Sequence, residues 1–82
     1  MSENTQNQIN MQYKARIRRA EISALFDALN GELALITDKN LDWGKVGSLS
    51  LVKTKLVEAV QHLSGMNDTD IKYYLDDAID GL

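Results

Sequence analysis

The chain has no cysteine and no proline in its 82 residues. Without cysteine there is no disulfide framework and no thiolate metal site, and a small domain lacking that covalent support suits a reducing cytoplasm better than an oxidising exterior. Without proline, no residue of that kind interrupts a helical pattern. Histidine is nearly absent too: His62 stands alone beside Leu63. No serine or cysteine nucleophile is patterned around it, so neither acid–base nor nucleophilic catalysis has its residues, and we expect no enzyme. Apolar runs are short. None approaches the ~20 residues that span a bilayer, and the opening MSENTQNQIN is polar where an export signal is apolar, so neither membrane insertion nor secretion is expected.

What is present is ordinary for a globular domain: 44% hydrophobic and 26% charged residues. A domain this small buries only about 60% of the surface its unfolded chain exposes, so its core is thin. The net charge of −3 is unevenly placed. Lys14, Arg16, Arg18 and Arg19 outweigh Glu3 in the first 20 residues, whereas the last 19 hold Lys72 against Asp68, Asp70, Asp76, Asp77 and Asp80. Such polarity suits either an acidic end lying on a basic one or two surfaces for different partners.

Residues 1–8 read as a flexible polar tail, and 9–82 as a single helical domain. Met11, Ala15, Ile22, Phe26, Leu29, Leu33 and Ile36 recur at steps of three, four or seven, one stripe of a helix that Arg18 interrupts. Before Ile22 the apolar face is discontinuous, so that part of the helix either projects into solvent or awaits a partner. Asn30-Gly31 could stop the helix, yet the rhythm runs on to Ile36, which favours one helix with a kink. A short strand over 32–37 is the competing assignment, with no second strand to pair it. Asp38 to Gly47 reads as a loop that carries Trp43. Ser48 is a candidate cap for a second helix through Leu49, Val52, Leu56, Val60 and Leu63, ended at Ser64-Gly65. Asn67 should cap a short acidic third helix with Ile71, Tyr74, Leu75, Ala78 and Ile79 on its apolar face. The expected architecture is all-α: two amphipathic helices joined by a loop plus the acidic C-terminal helix, a small bundle. Two such stripes cover each other poorly, and a homodimer would bury what one chain leaves exposed.

Several residues are candidates for contact. The aspartates are not a calcium loop, since no glycine sits mid-loop and no glutamate closes it; no metal and no cofactor is expected. Asp68 and Asp70 favour a helix start, but Asp76, Asp77 and Asp80 crowd the end where the helix dipole disfavours anions. That placement invites a cation, either from the Arg16 to Arg19 segment or from a basic partner. Trp43 either folds back over the thin core or serves as an interface anchor. Tyr74 falls on the apolar stripe and should be core, while Tyr73 points elsewhere. Lys14, Arg16, Arg18 and Arg19 form either a solvated basic turn or a segment that contacts nucleic-acid phosphates.

The stretch Arg16-x-Arg18-Arg19-x-x-Ile22-x-x-x-Phe26-x-x-Leu29 resembles the junction of basic region and first helix in basic helix-loop-helix proteins, and Leu49 to Leu63 is similar to their second helix. The resemblance spans about residues 14–63. It implies pairing of the helices into a parallel four-helix bundle, with the basic helices entering the DNA major groove. Ala15 stands where that family places a base-reading glutamate, residues 7–13 offer no cation, and Lys53 occupies a position usually apolar. What the resemblance implies is therefore dimerisation more than base reading. Two functions follow as expectations. One is a non-enzymatic regulatory or adaptor protein that binds a protein partner through Trp43, Tyr73, Asp76, Asp77 and Asp80. The other is a dimeric DNA-binding regulator that uses Lys14, Arg16, Arg18 and Arg19.

Overall fold

The computed structural model describes residues 2–82, with side chains from Asn4 onward. The chain is all-α: helices α1 (Ser2–Ala34), α2 (Trp43–Ser64) and α3 (Asp68–Ile79), with no strand among the described residues. It comprises two units, Met1–Asn40 and Leu41–Leu82.

The first unit is α1 and the turn that follows it. The helix begins inside the polar segment that reads as a tail, because the backbone ladder needs no apolar face and no Gly or Pro stands before Gly31 to break it. Gly31 does not end it. A glycine cap needs a left-handed backbone, and Gly31 keeps negative φ inside the helix. The termination comes at Leu35 and Ile36, whose amides donate to the carbonyls of Glu32 and Leu33 at 3.2 Å, a tighter last turn. Asn40 then pins the connection. Its side-chain nitrogen donates to the Leu35 carbonyl at 2.8 Å, and its side-chain oxygen accepts from the Thr37 amide at 2.9 Å. Residues 32–37 thus continue the helix to Ala34 and then turn.

The second unit is a pair of helices. Asp42, not Ser48, caps α2: its extended backbone turns the chain, and its carboxylate accepts from the Lys45 amide at 2.7 Å. The predicted loop is shorter than expected because Val46 extends the Leu49 and Val52 rhythm by one turn, so the helix takes in Trp43 and both nearby glycines. At the other end Gly65 adopts φ 74°, the left-handed cap that glycine tolerates best, and its amide donates to the Gln61 carbonyl at 2.9 Å. Asn67 caps α3 as expected and forms a reciprocal box with Asp70. Gln61 on α2 donates to Asp68 on α3 at 2.9 Å, tying the pair. The core beneath is small. Ile71 is 8% exposed and is the one buried hydrophobic among the described residues, with Leu56, Val57 and Leu75 half-buried. Tyr74, expected in that core, is 72% exposed. Packing on α2 covers a narrow arc of α3 around Ile71 and Leu75, and Tyr74 stands past its edge.

Candidate protein-interaction surfaces

Alpha-helical geometry turns each residue by about 100°, so α1 can be laid out face by face. Its C-terminal half carries Ile22, Phe26, Leu29 and Leu33 in one row, with Leu25 beside them. Leu29 is half-buried and the other four are exposed. The N-terminal half carries a second row, Ile9, Tyr13, Ile17, Ala20 and Ala24, about half a turn round the cylinder from the first. Ile9, Tyr13 and Ile17 are also exposed. Periodicity picked out the first row and missed the second, because a search for one stripe discards whatever lies on the opposite face. The signal was there in steps of three and four from Ile9 to Ala24. No residue of α1 is buried among those described, so neither row is a core face.

The basic cluster is less coherent than its spacing suggests. Arg18 and Arg19 flank the first apolar row on either side, Lys14 stands one turn before Arg18, and Arg16 lies further round the helix. Arg18 donates to Glu21 at 2.6 Å, an exposed ion pair. Lys14, Arg16 and Arg19 have no ion-pair partner among the described residues.

On α3, Tyr73, Asp76, Asp77 and Asp80 share an outer face through steps of three and four, and Tyr73 is 71% exposed. Lys72 reaches Asp76 at 2.7 Å. The cation that Asp76 was expected to find is thus its own helix neighbour, one turn back. Asp77 and Asp80 have no such partner among the described residues, and no basic residue occupies the last turn. Their charge adds to the negative end of the helix dipole.

Between α2 and α3 runs an open groove of about 530 Å³. Val57, Ile71, Leu75 and Ile79 floor it, and Lys53 and Asp76 stand on its rim. No family model, no curated protein and no solved structure matches this chain. Its surfaces therefore carry the functional case by themselves. The groove's volume is within the range of small-molecule sites, and the charged Lys53, Asp68, Lys72 and Asp76 line it around that aliphatic floor. No cluster of His, Asp or Glu fit for a metal ion occurs among the described residues, and no described helix is long and apolar enough to cross a membrane.

Trp43 opens α2 rather than a loop, and it is 87% exposed, so it does not fold back over the core. Its environment is nonetheless ordered. Asp42 beside it accepts from the Lys45 amide and from the Lys45 ammonium at 3.1 Å, which holds the Asp42 carboxyl below its ordinary range, the backbone hydrogen bond contributing most. His62 lies in the last turn of α2, and Ser64 in the same turn donates its hydroxyl to the Val60 carbonyl at 2.7 Å.

Proposed function

We propose that this protein is a non-enzymatic regulatory or adaptor protein of the cytoplasm that acts by helix-mediated association with other protein chains, its own copies included. The observation that carries it is the row Ile22, Phe26, Leu29 and Leu33, which leaves large apolar side chains side by side on α1 with no buried residue beneath them. Contiguous apolar surface of this kind marks interaction sites, and amphipathic helices dock through such i, i+4, i+7 anchors. Trp43 and Tyr73 add exposed aromatics of the sort that anchor interfaces. The test is a Phe26→Asp, Leu33→Asp double variant compared with wild type by sedimentation equilibrium and by pull-down of untagged chain on tagged chain. Burial of a Phe or Leu side chain is worth roughly 1.5–3 kcal/mol, so loss of both should weaken association at least about 100-fold. Association of undiminished strength in the double variant would contradict the assignment.

A second role, DNA binding by a dimer, draws on the resemblance to basic helix-loop-helix proteins and on the exposed Lys14, Arg16 and Arg19, which have no ion-pair partner among the described residues. Four cations spread over more than half of the helix circumference offer few simultaneous phosphate contacts, and the whole chain is acidic. A mobility shift on duplex DNA that weakens steeply with salt, and that vanishes when Arg16, Arg18 and Arg19 become Gln, would establish this role in place of the first.

A further inference from the structure

We infer that α1 pairs with α1 of a second copy in antiparallel order, Ile22 of each chain packing on Phe26 of the other. This rests on the proposed role of the first apolar row and names the chain that covers it. Ala15, Arg19, Ile22, Phe26, Leu29 and Leu33 alternate at steps of four and three, the seam of a heptad pattern. Arg18, Leu25 and Glu32 run along one flank of that seam at steps of seven, and Arg16, Ser23 and Asn30 along the other. Arg19 selects the direction. A parallel pair in register sets Arg19 against its own copy at the seam, like charge on like. Reversal sets it against Leu29, over which its aliphatic stem can lie with the guanidinium in solvent. The direction is thus opposite to the parallel bundle that the helix-loop-helix resemblance implies. The flank selects the register. When Ile22 faces Phe26, antiparallel geometry brings each Arg18 opposite Glu32 of the other copy, twice by symmetry, with Leu25 against Leu25 between them. Glu32 is exposed, has no ion-pair partner among the described residues, and lies in a last turn of α1 that holds no base to offset the helix dipole. Arg18 can serve it, because the bond to Glu21 engages one nitrogen of a guanidinium that carries several donors. Sliding the pair by one heptad loses the match in either sense, placing Glu32 against Leu25 or against Met11. In the matched register residues 14–34 overlap, about three heptads or roughly 31 Å, and the overlap ends where α1 ends.

The chain has no cysteine, so a nitroxide label goes only where one is introduced. Full-length Ser23→Cys and Gln12→Cys chains, labelled on the same side of α1, are compared by pulsed dipolar spectroscopy, with circular dichroism confirming helix content. Labels at position 23 should lie within about 20 Å of each other, because paired helix axes are roughly 8–10 Å apart and the axial offset there is only about 3 Å. Labels at position 12 should be separated along the axis by about 36 Å. Equal separations at the two positions would mean a parallel pair, and about 10 Å more or less at position 12 a pair slid by one heptad; either overturns the proposal. The flank is tested by Arg18→Glu and Glu32→Arg. Each alone should weaken the dimer about three- to tenfold in sedimentation equilibrium, and the two mixed at equal concentration should recover wild-type affinity, since both contacts then join opposite signs. Reversals without effect or without rescue overturn the register, and a wild type still monomeric at concentrations on the order of 100 µM overturns the pairing. The Phe26→Asp, Leu33→Asp variant separates the two levels. If it abolishes a dimer whose labels report another alignment, this pairing is wrong and the role of α1 stands; if that dimer survives it as well, both fall.

Discussion

At the scale of single residues, three positions hold the second unit together. Ile71 is its buried centre, so Ile71→Ala should cost roughly 2–5 kcal/mol and release α3 from α2, visible as loss of the α3 amide protection in hydrogen exchange. Gly65 sits at φ 74°, where any L side chain is strained; Gly65→Ala should cost about 1–2 kcal/mol although the space around it is open. A thermal melt of the second unit followed by NMR would show both, and unchanged melting would refute the assignments. Asp42 makes a pH prediction. Its carboxyl is held low by the Lys45 amide and ammonium, so the folded state favours the ionised form. The resulting stabilisation is complete above the ordinary carboxylate range and is lost as pH falls through the lowered folded value. The Lys45 amide resonance should therefore titrate below about pH 4, and Asp42→Asn should keep the cap while removing that titration. These residues were unequally legible. Asn67 and Gly65 could be read from the chain because caps have a local chemical signature. Asp42 escapes the sequence because it falls inside the apparent loop Asp38 to Gly47, and only the extension of the apolar rhythm back through Val46 brings the helix start to it.

At the scale of helices, α1 is the informative one. A helix in water draws most of its stability from packing of an apolar face, and α1 has two such faces on opposite sides with no buried residue on either. The second row ends at Ala24, and the first, which Arg18 interrupts after Met11 and Ala15, is continuous only from Ile22. The sequence showed the first row and the hesitation at Arg18; it hid the second because a residue such as Tyr13 is recognisable as apolar-face only once the helix is known to be continuous. Gly31 gives a test that touches no interface. It is helical and a side chain there would meet nothing within 4 Å, so Gly31→Ala should raise the helicity of α1 by an amount corresponding to about 1 kcal/mol. A drop in ellipticity at 222 nm would mean that Gly31 is not helical in solution. The third helix carries the opposite lesson. Its acidic end suggested a distant cation for Asp76, but Lys72 lies one turn away, a local pair that spacing of four residues makes available.

For the whole molecule, the consequence is that a chain of this size leaves its large side chains uncovered: Phe26, Trp43, Tyr73 and Tyr74 are all exposed, while a single isoleucine is buried among the described residues. Helix content was readable from periodicity, but coverage was not, because coverage depends on which surfaces meet and a lone sequence does not state that. Association supplies the missing cover in this account, with α1 as the donor surface. The most direct test places a photoreactive phenylalanine analogue at position 26 and irradiates living cells. The account predicts a covalent adduct with a protein chain, formed through the α1 face that carries Phe26. A chain that remains uncrosslinked, or that crosslinks to nucleic acid alone, would contradict it.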